Sequence, residues 1–387
     1  MKGKILQWLR IKRYNWKKYD ISLVAVTFIL SCISSYVLYT VQRDSFSPVR
    51  SIFSLVAGLV IIFVFSLIDY HDLCLYIPII YIITTVMAAA TRLSPLGSEQ
   101  GTGSYRWLDF KVIKFQPSEV CKIVVILALA TFFYRSRENL KTFKNFFLAS
   151  AIALVPTFFI LIQSDLSSSI VFIAILTMML ICSGIGKRVL GPVAAVVIPA
   201  VVFLFWYIIQ PNQKLLADYQ QLRITSWLHP EGHELGAMYQ QNQSVISIAS
   251  GKLYGKLLDG TEAARNYAKV DVTESDFIWT PIGEEFGFIG CLVILVLLSI
   301  IIIKCFLAAK NAKDYMGMMI AVGIGSMLCF QVFFNIGVTT SLLPNTGLPL
   351  PFLSNGLSSL LSNSMAVGIL LNIGIQPSRG SSSLEIQ

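Results

Sequence analysis

Charge is scarce in this chain. Asp, Glu, Lys and Arg make up 13% of its 387 residues, and only three residues are histidine. Paired cysteine spacing is also missing: the seven cysteines, Cys32, Cys74, Cys121, Cys182, Cys291, Cys305 and Cys329, each lie alone in or beside an apolar run. The first shortage excludes ordinary soluble domains, whose surfaces carry far more charge. The second leaves the thiols as small buried hydrophobes rather than a disulfide or metal framework. No internal repeat is visible, so the inverted-repeat signature of many transporters is missing.

What fills the chain instead is hydrocarbon. Hydrophobic residues reach 55% and mean hydropathy is +0.70, which a bilayer absorbs and a soluble core does not. Ten runs are long enough to span: near Ile21–Tyr39, Ile52–Ile68, Leu73–Ala89, Val120–Phe133, Phe146–Ile162, Leu166–Cys182, Val189–Ile209, Phe286–Phe306, Met316–Leu342 and Leu357–Ile375. The fourth is short and extends back into Gln116–Glu119. Inside a bilayer only helices satisfy every backbone group without closing a barrel. The predicted fold class is therefore an all-α polytopic membrane protein, a single transmembrane domain over residues 1–387.

Ten spans put both termini on one side. Lys2, Lys4, Arg10, Lys12, Arg13, Lys17 and Lys18 make that side cytoplasmic by the positive-inside rule. Arg135, Arg137, Lys141 and Lys144 after span four, Lys187 and Arg188 after span six, and Lys304, Lys310 and Lys313 after span eight keep the alternation. Topology thus explains most of the net charge of +9, and no nucleic-acid partner is expected. Residues 1–20 read as a basic cytoplasmic tail and anchor, because the first apolar run is span-length and no small-residue cleavage site follows. Residues 376–387 are polar and Ser-rich and read as a disordered tail.

The remaining basic residues fall outside, mainly in Thr91–Glu119 and in a long loop over residues 210–276. There they fit either an anionic ligand at the outer leaflet or a balance to external acids. Four segments stand out. In Tyr105–Phe110 running into Phe115–Lys122, Pro117 suits a helix start, Ser118 can cap, and Glu119 and Lys122 share a face. An ion pair at the mouth of a span must face protein or water, as a functional group or as a staple between helices. In Gln163–Leu166, Asp165 reads as a helix cap.

The long loop holds Arg223, Tyr239–Ser244 with its Gln243 and Ser244, and the run Ser250–Lys256. Loops that long in compact proteins are usually functional. The run is no Walker A loop, but its glycines with Lys252 and Lys256 could cradle an exposed pyrophosphate. His229 and His233 look metal-like, yet Pro230 and Gly232 break the helix that would align them. The loop ends at Glu274–Ile278 and is followed by Gly283–Gly287, so four carboxylates approach span eight. Asp276 is either that helix's cap or a base with a raised pKa. Lastly, Leu343–Gly356 is too rich in Pro and Gly for a regular helix, and broken backbone at a membrane edge lines a cavity.

In this order the segments resemble the SEDS (RodA/FtsW/SpoVE) family over nearly the whole chain. The carriers are Arg106-Trp-Leu-Asp, Gln116-Pro-Ser-Glu, Ser275-Asp-Phe-Ile-Trp, Gly283-Glu-Glu-Phe-Gly-Phe-Ile-Gly290 and Leu343-Pro-Asn-Thr-Gly-Leu-Pro-Leu-Pro-Phe. The short tails and Arg223–Glu231 lean toward the RodA branch. The resemblance implies a peptidoglycan glycosyltransferase that polymerises lipid II at the outer face of the bacterial cytoplasmic membrane. The implied partner is a class B penicillin-binding protein. The family's essential aspartate matches Asp276, and its membrane-edge acid and base match Glu119 and Lys122. Asp276 would deprotonate the acceptor 4-hydroxyl, which attacks the donor anomeric carbon with inversion. Substrate contacts are expected from Arg106, Glu119, Lys122, Arg223, Gln243, Ser244 and Lys256. External cations such as Arg106, Lys122 and Arg223, or a divalent cation (Mg or Mn), would neutralise the pyrophosphate.

The chain also departs from the family pattern. Gln163-Ser-Asp-Leu-Ser167 replaces the usual Gln-Pro-Asp-Leu-Gly, Val270-Asp-Val272 the usual Leu-Pro-Glu, and Ser275 the usual Thr. Ser354-Asn-Gly-Leu-Ser-Ser359 replaces Ser-Tyr-Gly-Gly-Ser-Ser. Two other readings compete. A flippase needs polar residues through the bilayer, and spans five to seven, nine and ten are nearly free of charge at mid-depth. A non-catalytic scaffold agrees with the altered motifs but not with retention of Asp276 and Glu119. Elongation, division and sporulation are not separated by sequence.

Overall fold

The computed structural model describes residues 14–42, 46–94, 97–98, 105–109, 114–210, 213–216, 218–232, 236, 238–258 and 265–376. The basic tail up to Arg13, Phe110, His233 and the polar tail from residue 377 lie outside the described residues. Helices α1 (Ile21–Gln42), α2 (Pro48–Leu67), α3 (Tyr70–Leu75) and α4 (Ile77–Leu93) come first. A small antiparallel sheet follows, β1 (Gly97–Ser98), β2 (Trp107–Asp109) and β3 (Lys114–Phe115), in that spatial order. Then come α5 (Pro117–Arg135), α6 (Phe143–Ile162), α7 (Leu166–Cys182), α8 (Lys187–Ile209), α9 (Asp218–Leu228) and α10 (Tyr239–Ser250). The chain closes with α11 (Trp279–Asn311), α12 (Tyr315–Thr339) and α13 (Leu357–Ile375).

Among the described residues, 8 helices are long and apolar enough to cross a bilayer, and the shorter apolar α4 and α7 complete the ten expected spans. Their ends match the sequence reading closely, with two differences. The third span is preceded by the separate short helix α3, because Pro78 starts a new helix after the break at Tyr76. The eighth begins at Trp279 rather than Phe286 and is broken at Gly287, whose φ of 63° and ψ of −165° are not helical. A Cβ there would lie 2.4 Å from the Gly255 nitrogen, so only glycine lets the chain Leu253–Gly255 approach.

The core is formed by α5, α12 and α13, whose most apolar stretches are 83%, 72% and 78% buried. By contrast α8 is 0% buried over its apolar stretch, so it faces away from the rest of the bundle. The segment read as a long loop folds instead into α9, α10 and a 3-10 turn at Asn266–Lys269. On the cytoplasmic side His71 joins Asp69 at 2.7 Å to Asp314 at 2.5 Å, which ties α3 to the start of α12.

Candidate active site

The outer ends of the bundle converge on Asp276. Burial pushes its carboxyl above the usual carboxylate range and Asp165 adds to the rise, while Arg106, a hydrogen bond from Ser275 and Arg223 pull it down. The cap reading fails here: the N-cap of α11 is Ile278, and it has no side-chain capping bond. Asp165 does cap, accepting from the Ser168 amide at 3.1 Å and its hydroxyl at 2.8 Å. Two acids close in appearance thus have different duties.

The Pro/Gly-rich segment forms one wall. A Cβ on Gly347, whose φ is +76°, would meet Asp276 Oδ2 at 2.8 Å, so the carboxylate lies directly against bare backbone. Asn335 of α12 clamps this arrangement, donating to Asp276 O at 2.8 Å and Leu348 O at 2.7 Å. Ser354 donates to Ser275 O at 2.5 Å, and the Asn355 amide to Glu274 O at 2.7 Å. Backbone that would be orphaned at a membrane edge is therefore satisfied by protein.

Arg106 precedes β2 and donates to Ser164 O at 3.4 Å, while its Nε is buried with no partner. Thr346 Oγ1, beside Gly347, is likewise buried without a partner. Groups left in that state cost about 1–3 kcal/mol each, so they favour a polar occupant. Arg223 sits on α9, which docks through Trp227 Nε1 to Ser341 O at 3.0 Å. The altered family residues take part too. Ser164 has φ of 63°, which proline's ring forbids, and Ser167 donates to Thr346 O.

Other expected site residues fall elsewhere. Glu119 and Lys122 pair at 2.9 Å with side chains 1% and 0% exposed, while Ser362 of α13 donates to Glu119 O at 2.7 Å. Glu119 Oε2 keeps no partner, and neither does Ser118 Oγ; Gln116 rather than Ser118 occupies the N-cap. Ser244 is fully buried, bonded to Thr280 Oγ1 at 2.5 Å and Thr339 O at 2.8 Å, so its hydroxyl staples α10 to α11 and α12. Gln243 is half-buried, its carbonyl accepting from Ser247 at 2.8 Å.

Lys256 forms an ion pair with buried Glu284, and residues 256 and 257 donate their amides to Glu284 O and Glu285 O at 3.0 and 3.1 Å. The lysine–glycine run is thereby stitched to α11 instead of cradling a ligand. Glu284 and Glu285 are spent on Lys256 and Arg265, so the like charge acting on Asp276 comes from Asp165. Sequence reasoning missed Asn335, Thr346 and Gly347 as site residues; the Pro/Gly-rich stretch was the available signal for the last two.

Ten apolar helices among the described residues, with a polar centre at one end, define a polytopic membrane protein that works at a bilayer face. The chain belongs to the FtsW/RodA/SpoVE family, whose model, described as "Cell cycle protein", matches residues 16–378. It is similar to peptidoglycan glycosyltransferase MrdB of Escherichia coli K12, 32% identical over 94% of this chain and 95% of the relative. Stage V sporulation protein E of Bacillus subtilis is 31% identical over 92% and 96%. The fold is similar to a chain of a peptidoglycan synthase complex that coordinates polymerization and crosslinking, with TM-score 0.74, 25% identity, and coverage of 92% and 97%. The Thermus thermophilus rod shape determining protein RodA shares the fold at TM-score 0.65, 21% identity, over 93% and 98%. The protein is thus a multi-pass protein of the bacterial cytoplasmic membrane.

Proposed function

We propose that this chain is a peptidoglycan glycosyltransferase that polymerises lipid II at the outer membrane face, working with a class B penicillin-binding protein. The observation that carries the reading is Asp276, a half-buried carboxylate set against the bare backbone of Gly347, with a raised pKa and with Arg106 and Arg223 acting on its charge. A base of that kind accepts the acceptor 4-hydroxyl proton as the oxygen attacks the donor anomeric carbon. The bond to the lipid pyrophosphate breaks on the opposite face, and Arg106 and Arg223 receive the departing charge. Thr346 Oγ1 and Arg106 Nε, buried without a protein partner, would pair with sugar and phosphate oxygens when substrate enters. Asn335 and Ser354 hold the wall, and Ser362 of α13 ties to α5 through the Glu119 carbonyl, beside the Glu119–Lys122 pair within α5.

Asp276 is the residue that would hold a divalent ion, which would add to Arg106 and Arg223 in neutralising the pyrophosphate. Among the described residues no group of three or more His, Cys, Asp or Glu forms a metal centre of its own.

The test is polymerisation of purified lipid II by the detergent-solubilised protein, with and without its penicillin-binding partner. Glycan ladders from the wild type that vanish in Asp276→Ala, with complex formation intact, support the reading. Absence of ladders from an intact wild-type complex would replace it with a scaffold.

A further inference from the structure

The turn that leads from α12 into the wall of the site is held by side chains from the segment between α8 and α11. A helix end leaves its last carbonyls without intrahelical donors. Two of them are met by the chain itself: the Ser341 amide donates to Val338 O at 3.1 Å and the Leu343 amide to Gly337 O at 2.9 Å. Ser341, with φ of 59°, turns the backbone sharply there. Thr339 O takes the Ser244 hydroxyl at 2.8 Å, and Ser341 O the Trp227 indole at 3.0 Å.

One residue reaches across the turn. Gln241 of α10 is 1% exposed, and its Nε2 donates to Val338 O and to Leu343 O, each at 2.9 Å. Both hydrogens of one amide nitrogen are thereby used, one on the last turn of α12 and one on the first residue of the wall. Farther along, Asn335 holds Leu348 O together with Asp276 O. The two amides bracket the stretch that carries Thr346 and Gly347, and Gly347 is the bare backbone against the Asp276 carboxylate. A second link runs through side chains. Val338 and Leu343, whose carbonyls Gln241 holds, pack with Val270 and Phe277, and Phe277 adjoins Asp276 in the chain.

We propose that Gln241 is a positioning residue for glycan polymerisation, setting the angle at which the wall leaves α12 and so how closely Gly347 covers Asp276. The role rests on Asp276 being the base, and Gln241 itself touches neither sugar nor phosphate. When the clamp is lost the wall draws back and water reaches the carboxylate. The part of its raised pKa that comes from desolvation then shrinks, while Arg106, Arg223, Asp165 and Ser275 continue to act on it.

The test compares Gln241→Leu, which keeps the bulk of the side chain and removes both donors, with Asn372→Leu. Asn372 is an equally buried amide at the cytoplasmic face, donating to Ser66 O at 2.9 Å and accepting from the Tyr70 amide at 3.2 Å. Deuterium exchange of the full-length protein is followed over residues 343–350. Lipid II polymerisation, with the penicillin-binding partner present, gives kcat, KM and the pH profile per folded molecule. Gln241→Leu should speed exchange in the wall and lower kcat about 10–100-fold, with KM changed less than about twofold. The midpoint of the rise of kcat with pH should move down by about one pH unit, a part of what full desolvation supplies. Asn372→Leu should lower the melting temperature and leave wall exchange, kcat and midpoint unchanged. Gln241→Asn, which shortens the reach by one methylene, should give the same signs at smaller size if the leucine variant does not fold. Unchanged wall exchange and midpoint in the Gln241 variants, with Asp276→Ala inactive, overturn this role alone, as does a loss of kcat that Asn372→Leu reproduces. Ladders that persist in Asp276→Ala overturn the base and this role together.

Discussion

Asp276 and the pair Glu284–Glu285 are acids within one short stretch of chain, yet their surroundings set them to opposite tasks. Glu284 has no exposed surface and accepts from Lys256, from the Asn266 amide at 2.8 Å and from the Tyr267 amide at 2.9 Å. Glu285 binds Arg265 through Nε at 2.7 Å and Nη2 at 3.2 Å, and takes the Tyr267 hydroxyl at 3.2 Å. Both are saturated with donors, as buried charge must be to persist. Asp276 is half-buried, its partners are fewer, and desolvation outweighs the arginines. Saturated acids hold a fold together. An acid kept short of donors can accept a proton.

The largest expected effect separates the two directly. Asp276→Asn should lower glycan polymerisation about 10²–10⁴-fold, the usual worth of a general base. Glu285→Ala should instead lose about 3–5 kcal/mol of stability by stranding Arg265. Thermal melts alongside ladder assays check the pair; a stable Glu285→Ala with lost activity would erase the distinction.

Stability against pH sharpens the same contrast. For an acid whose folded pKa is raised, stability is fully present below its unfolded value near 3.8 and is lost as pH rises through the folded value. Asp276→Asn should therefore melt at or above the wild-type temperature at pH 7. Activity has the opposite sign, since the base must be ionised: turnover should rise with pH through the raised pKa and then level off. A chemical step that is flat from about pH 5 to 8 would remove Asp276 from the role.

Smaller effects probe the clamp. Asn335→Ala leaves Asp276 O and Leu348 O without their donor, and should cost about 1–3 kcal/mol. A displaced base should also cut turnover by up to about 100-fold, visible in initial rates of the folded variant. The smallest effect on chemistry belongs to Lys256→Gln. It removes a structural pair, so melting should fall while ladder length per folded molecule stays the same. Shortened ladders would restore the pyrophosphate-cradle reading of its glycine–lysine run.

Much of this architecture could be read in advance. Apolar run length is a one-dimensional property, so the spans from Ile21 to Ile375 were legible to within a few residues except at the start of the eighth, Trp279 rather than Phe286. The i, i+3 spacing of Glu119 and Lys122 likewise implied a contact made within one helix. The break at Gly287 was not legible, because the cause of its φ is Leu253–Gly255, a segment far away in sequence. Ser244 carried a ligand-like hydroxyl, but whether it faces solvent or Thr280 depends on how α10 docks. Asn335 is a single amide in an apolar helix, and nothing local to it signals that a proline-rich turn and an aspartate share it.

What the sequence by itself determined is an all-helical membrane protein, its orientation, and the identity of the aspartate to suspect. Those follow from hydropathy, from the side on which lysine and arginine gather, and from a resemblance carried by contiguous motifs. Only the tertiary structure decided which acids are neutralised and which one is left short. The pKa of a desolvated carboxylate is set by charges and donors around it, and apart from neighbouring Ser275 these are Arg106 before β2, Asp165 at the start of α7 and Arg223 on α9, which act on Asp276 only once the bundle is packed.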